Sequence, residues 1–321
     1  MEKKMNILNR IHFNSAPTLL AAWTGAGNVG ILSIDYFRRK LDAQMFAQID
    51  MSQFVTPDSI IVNAGVTHFP ETPQSIFYHH HNPDLVMFES NAHAGEHDMD
   101  VVRTILELAK ELNIPRIYTA AALPQPMSHT TKPSVLYACN NPGLRNELEM
   151  LGLRAMPDGV ISGLNGLMLG FAGARGIDAV CLLATIPAYA SGLTYPQAAL
   201  EIVRSLATVT NVPLDTGELQ RDADSAEPMF ADIEEKLKDF FSTGSLGLGE
   251  EFQGSDGGDD EFPKEKIEKD DVPKYVMDRI ERMFINAKKN KEKARELKNE
   301  LDKWGLYKFY EDRFLDLFEN D

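Results

Sequence analysis

Apolar and polar residues alternate along roughly the first 240 positions with two different periods. Short, nearly continuous apolar runs at 18–23, 44–49, 59–62, 85–88, 116–121, 135–138 and 179–184 have the length and residue types of buried strands. Between several of them, apolar positions recur at helical spacing over 29–41, 98–112, 142–151, 164–174 and 196–210. Continuous apolar strands interleaved with amphipathic helices predict an α/β fold of three layers, a mostly parallel sheet covered by helices on both faces. A further helical stretch covers 215–241, and Pro228 predicts a break within it.

The C-terminal part follows a third pattern. Val276, Ile280, Met283, Ala287, Asn290, Ala294, Leu297, Leu301 and Trp304 are separated by alternating steps of four and three, the repeat of a coiled-coil-like seam. Such a stripe is covered either by the chain's own body or by a partner helix, and the pattern leaves both open. Before it, 250–262 carries six acidic residues and no basic one among its glycines. So little apolar surface does not offset the entropy of ordering. The predicted organisation is an α/β body at 1–242, a flexible acidic linker at 243–262 and a charged helical tail at 263–321.

Charge and composition narrow the partners. The 321 residues include 32 Lys and Arg against 48 Asp and Glu, a net charge of −16. That excess disfavours nucleic acid and anionic membrane surfaces. No apolar run is long enough to span a bilayer, and the N-terminus has no secretory pattern. The two cysteines, Cys139 and Cys181, lie far apart in apolar surroundings, as expected in a reducing compartment. The expectation is a cytoplasmic protein.

Two motifs carry candidate chemistry. Thr24-Gly25-Ala26-Gly27-Asn28-Val29-Gly30 follows the first long strand and opens the first helix. It satisfies G-x-G-x-x-G, and Asp50 ends the next predicted strand, where a ribose-binding carboxylate would stand in a dinucleotide site. Gly25, Gly27, Asn28 and Gly30 are thus candidates for holding a pyrophosphate on backbone N–H groups. The same glycines also make a tight strand-to-helix turn that needs no ligand. Gly163, Asn165 and Gly166 open the apolar helix 164–174, where glycine permits close packing and a helix N-terminus has room for an anion.

All eight histidines precede residue 130. His93-Ala94-Gly95-Glu96-His97 fits H-x-x-E-H, in which two imidazoles and a carboxylate serve zinc chemistry. Gly95 opposes a helix there by about 1 kcal/mol relative to Ala, and a helix start near Asp98 leaves His93 in a loop. His129 follows the strand at 116–121, and convergence of strand-end loops would bring His93, Glu96, His97 and His129 near the glycine loop. His79-His80-His81 reads as a solvated turn. Ser162 lacks the first glycine of a nucleophile elbow, and no catalytic serine is predicted.

Ala22-Trp23-Thr24-Gly25-Ala26-Gly27-Asn28-Val29-Gly30 is followed by Gly159-Val160-Ile161-Ser162-Gly163-Leu164-Asn165-Gly166-Leu167-Met168-Leu169. Next come the strand 179–184 leading into Thr185-Ile186-Pro187-Ala188-Tyr189, and then Pro196-Gln197-Ala198-Ala199. In this order the four features resemble the proteasome assembly chaperone 2-like family over most of residues 15–240. The resemblance implies a phosphorylase/hydrolase-like α/β/α body and self-assembly into small rings. In the eukaryotic and archaeal branches it also implies chaperoning of proteasome assembly. It assigns no catalytic residue and no cofactor. Archaeal relatives dock through a C-terminal hydrophobic-Tyr-any tripeptide. Here the sequence closes on Phe318-Glu319-Asn320-Asp321, and Phe309-Tyr310-Glu311 is internal, so docking by that route is not expected. The expected function is a non-catalytic, homo-oligomeric assembly factor or scaffold whose tail at 263–321 binds a protein partner. The alternative is a nucleotide-binding or metal-dependent enzyme at the strand-end loops.

Overall fold

The computed structural model describes residues 5–55, 59–70, 72–91 and 97–243, and beyond them Ile280, Met283, Phe284, Ala287, Lys293, Leu297, Lys298, Leu301, Tyr310, Arg313 and Phe314. The chain divides into two compact units, Met1–Gly244 and Ser245–Asp321. In chain order the strands are β1 (Met5–Ile7), β2 (Thr18–Trp23), β3 (Gln44–Ile49), β4 (Ile61–Asn63), β5 (Val66–His68), β6 (Ser75–His80), β7 (Leu85–Ser90), β8 (Arg116–Gln125), β9 (Val135–Cys139), β10 (Arg154–Ala155) and β11 (Asp178–Pro187). The helices are α1 (Val29–Lys40), α2 (Asp98–Glu111), α3 (Pro142–Met150), α4 (Gly163–Gly173), α5 (Pro196–Thr210) and α6 (Gly217–Thr243).

Nine strands form one mixed sheet in the order β1-β3-β6-β7-β2-β8-β11-β9-β10, while β4 and β5 pair as a separate hairpin. The heart, β7-β2-β8-β11, is parallel. Towards one margin the sheet turns antiparallel because β6 reaches β7 through a four-residue turn rather than a crossover helix. Alternation along each central strand sorts its side chains onto two faces. Leu19, Ala21, Trp23, Phe88 and Cys181 are buried on the α2 and α4 side. Leu20, Ala22, Met87, Ala120 and Leu182 are buried under α1, α5 and α6. The predicted three-layer α/β architecture is therefore present, and burial of apolar side chains on both faces holds it.

Three local expectations change. Residues 59–62 contribute only to the exposed β4–β5 hairpin rather than to the main sheet. His79 and His80 belong to β6, not to a turn, and His79 stacks edge-on against Phe46 at 5.8 Å. Pro228 lies inside the continuous helix α6. It is exposed, so the carbonyl it leaves unbonded one turn earlier can face water. Buried Ala223 and Phe230 hold the helix through that point from its other face. Among the described residues, no helix is long and apolar enough to cross a membrane.

In the second unit, Ile280, Phe284, Ala287, Leu297, Leu301, Tyr310 and Phe314 form one apolar cluster. Four of these are predicted seam positions, and Tyr310 and Phe314 cover them from within the same unit. The Phe284 and Tyr310 rings are 5.4 Å apart, and the Arg313 guanidinium lies 4.4 Å above Phe284. Val276, Asn290, Ala294, Trp304 and the predicted linker from 244 onward lie outside the described residues.

Candidate functional site

The C-terminal ends of parallel strands are where open α/β sheets place their ligands. There the chain leaves β2 through a single 3-10 turn, Ala26–Asn28, and enters α1. Gly27 adopts φ +64°, and a Cβ on it would meet Val29, Ile186 and Tyr195 at 3.0–3.3 Å. Its N–H donates to Ser191 O at 2.8 Å, and its carbonyl accepts from Tyr195 N at 2.8 Å. Asn28 donates from Nδ2 to Thr194 Oγ1 at 3.1 Å. The central amide of the glycine loop is thus spent on the 191–195 segment. Gly30 answers to packing: a Cβ there would sit 2.1 Å from Ala120 O, so α1 lies directly on the β8 backbone. Gly25 is extended and has open space around it.

Asp50 does not join this loop. Its carboxylate caps its own turn, accepting from Ser52 N at 3.1 Å and Ser52 Oγ at 2.6 Å. It follows β3, three strand spacings from β2, about 14 Å. The second glycine group is separated in another direction. Gly163, at φ +75°, starts α4, and Gly166 approaches Ile161 O so closely that a Cβ would lie 2.1 Å away. Asn165 Oδ1 is buried with no hydrogen-bond partner. The short connection 174–177 folds α4 back along β11, which brings its N-terminus towards the same sheet end as the glycine loop. The two glycine groups nevertheless belong to opposite faces.

The histidines separate as well. His93 and Glu96 lie outside the described residues. His97 precedes α2, with Nδ1 3.6 Å from Asp100 and its ring 6.1 Å from Phe54. His129 instead reaches α6 on the other face. Among the described residues, no three His, Cys, Asp or Glu side chains are grouped to hold a metal.

His129 marks a polar cluster that sequence patterns did not single out. Glu234 of α6 is 7% exposed. Its Oε2 accepts from Ser128 Oγ at 2.8 Å, His129 N at 3.0 Å and Tyr189 OH at 3.1 Å, and lies 2.6 Å from His129 Nδ1. Lys238 Nζ approaches Oε1 at 2.7 Å. Burial alone would push the Glu234 pKa up, but the donors from Lys238, His129 and Ser128 outweigh it and hold the carboxyl far below its usual range. Burial, reinforced by the bond to Glu234, pushes the Tyr189 phenol well above its usual value. Tyr195, stacked on Phe230 at 4.7 Å, is raised to about 12 by burial and then by the Glu234 charge.

Ser128, His129 and Glu234 have the residue types of a hydrolytic triad but not its wiring. A nucleophilic serine must donate to the histidine that will take its proton. Here Ser128 donates to Glu234, a carboxylate whose low pKa makes it a poor base. The cluster binds α6 to the loop after β8 and to Tyr189. One signal for it was present in the sequence. Leu219, Ala223, Phe230 and Glu234 share one buried stripe of α6, so a carboxylate stands at an apolar position.

A family model described as the PAC2 family matches residues 19–233. Comparison with curated protein sequences gives no match. Among solved structures, Pyrococcus furiosus PbaB, described as an archaeal proteasome activator, is 19% identical with a TM-score of 0.62, over 72% of this chain and 98% of that one. A PAC2 family protein from Streptomyces avermitilis is 22% identical with a TM-score of 0.57, over 67% and 95%. A Mycobacterium tuberculosis proteasome-assembly chaperone homologue is 19% identical with a TM-score of 0.58, over 67% and 94%. At these identities the likeness shows a shared fold.

Proposed function

The chain belongs to the PAC2 family, and on that premise we propose that it is a non-catalytic, homo-oligomeric assembly factor or scaffold whose residues 263–321 recruit a protein partner. The observation that carries this reading is the occupied state of the strand ends. Gly27 has given its N–H to Ser191, and Ser128 is bonded to Glu234 instead of to a base. Groups committed in this way support a scaffold better than a reacting centre. The solved structures described as a proteasome activator and as a proteasome-assembly chaperone homologue support a protein partner. Cytoplasmic residence belongs to the same reading, supported by two cysteines that are both free thiols.

Native mass spectrometry of the full chain, followed by the same measurement after deletion of 263–321, tests the proposal. The expected spectrum shows an integer multiple of the 35.9 kDa chain without added cofactor mass. The truncated protein is expected to stay folded and to change its subunit number or its captured partners. A monomeric parent, a stoichiometric bound nucleotide or metal, or an unfolded truncated body would overturn it.

A further inference from the structure

The β4–β5 hairpin stands apart from the packing of the body. Every residue from Ser59 to Phe69 is exposed. Among them Ile60, Ile61, Val62, Val66 and Phe69 are 46–75% exposed, which is unusual for large apolar side chains so close together. A lone two-stranded hairpin is marginal in water and is made stable by further strands or a packed face. Among the described residues, β4 and β5 pair only with each other.

The turn decides which backbone groups point outwards. Ala64 and Gly65 both have positive φ, +48° and +81°, as a two-residue type I′ connection requires. Asn63 and Val66, and likewise Ile61 and His68, therefore face each other as hydrogen-bonded pairs. Val62 is one residue out of phase, so its N–H and C=O point away from β5, and Ile60 precedes the strand at the same parity. An edge strand ordinarily carries a lysine, a proline or a bulge that blocks pairing with other chains. β4 has none of these, and residues 60–62 are Ile-Ile-Val, three β-branched aliphatics. The edge of β5, Thr67-His68-Phe69, is more polar.

Charge narrows the occupant. Residues 59–70 contain no Asp, Glu, Lys or Arg, although residues 1–249 have a net charge of −10. A basic partner would be met best by an acidic edge. An uncharged edge suits a partner of the same negative sign, which a second copy of this chain is by definition. The edge is also complementary to itself. Run antiparallel about Ile61, each Ile60 meets Val62 of the partner subunit, and Ile61 meets its own counterpart.

We propose that β4 pairs antiparallel with β4 of a second copy, across a two-fold axis at Ile61, and joins two hairpins into one four-stranded sheet. The outward N–H and C=O groups of Ile60 and Val62 form the ladder, and the contact is isologous. This inference rests on the homo-oligomeric reading above and supplies it with a contact surface. The twelve residues 59–70 are about half of the roughly 20–30 a side of a standard interface. The contact by itself is therefore a weak one, dissociating at about the micromolar level or above.

Two measurements on the full chain test it. In a Cys139→Ser background, Ile61→Cys places two thiols opposite each other at a non-hydrogen-bonded pair. There the Cα atoms are about 4.5 Å apart, within disulfide reach. Mild oxidation is expected to give a covalent dimer on a non-reducing gel at least about tenfold faster than for Val66→Cys, on the other strand. In sedimentation velocity, Val62→Pro is compared with Thr67→Pro. Each removes one outward N–H and leaves the β4–β5 ladder intact. Val62→Pro is expected to weaken self-association about tenfold, since one ladder bond is lost from each copy, and Thr67→Pro to leave it unchanged. An oligomeric parent whose association is untouched by Val62→Pro would overturn this contact alone. So would equal cross-linking of the two cysteine variants, or a Thr67→Pro variant as impaired as Val62→Pro. A parent that stays monomeric up to roughly 100 μM would overturn the contact together with the homo-oligomeric reading.

Discussion

Glu234 is a buried charged residue tied into this fold by several donors, and its chemistry makes the acid stability of the body predictable. Its carboxyl has a folded-state pKa held far below that of an exposed glutamate. The native state therefore binds a proton more weakly there than the unfolded chain does. The stabilisation is fully present above about pH 4.5 and is lost as pH falls from there through the folded-state value. Glu234→Gln keeps the shape but presents an amide to the Ser128, His129 and Tyr189 donors. It is expected to destabilise the body by about 2 kcal/mol at pH 7, the scale of hydrogen bonds to a charged group. Urea denaturation should show that deficit shrinking as the pH is lowered, with the variant's stability less dependent on pH than the parent's. A constant deficit from neutral to acid pH would mean that shape, not charge, is what Glu234 supplies.

The loop between β2 and α1 separates packing from ligand binding at the scale of one element. A phosphate-cradling loop needs its first glycine as well as its last, whereas a packing turn needs glycine only where another backbone approaches. Gly30→Ala forces a Cβ to within 2.1 Å of Ala120 O and is expected to cost about 3 kcal/mol. Gly25→Ala meets nothing within 4 Å and is expected to stay within about 0.5 kcal/mol of the parent. Denaturant midpoints of the two variants check the contrast, and equal losses would contradict the packing account.

The same element shows what the sequence could and could not disclose. Strand, glycine turn and helix were all legible, because buried parallel strands are continuous apolar runs and α1 is amphipathic. The order β3-β6-β7-β2 was not, because nothing local says that β3 lies three strand spacings from β2, and with it Asp50. β6 escaped notice because two of its six residues are histidines. Its pairing with both β3 and β7 overrides their weak strand character. Glu234 was the hardest to see. A glutamate in a helix normally marks the wet face, and only the tertiary meeting of α6 with Ser128, His129 and Tyr189 makes it a core residue.

Charge at the scale of the whole molecule determines how copies of this chain should meet. Of the net −16, the segment from 263 onward contributes nothing, with 15 residues of each sign, and 250–262 contributes −6. The remaining −10 belongs to residues 1–249. The proposed homo-oligomerisation would therefore bring like-charged bodies together, whichever face they use, with the repulsion acting over a Debye length of about 10 Å at 0.1 M salt. Apolar burial must outweigh that repulsion for the assembly to form. Added salt shortens the range of the repulsion and leaves apolar burial intact. Raising ionic strength from roughly 0.05 to 0.5 M should therefore strengthen self-association, read as a larger sedimentation coefficient at limiting protein concentration. An interface held by complementary ion pairs would respond in the opposite direction, since screening weakens attraction between exposed charges. Dissociation on adding salt would thus place the contact on local charge pairs and remove apolar burial as its basis.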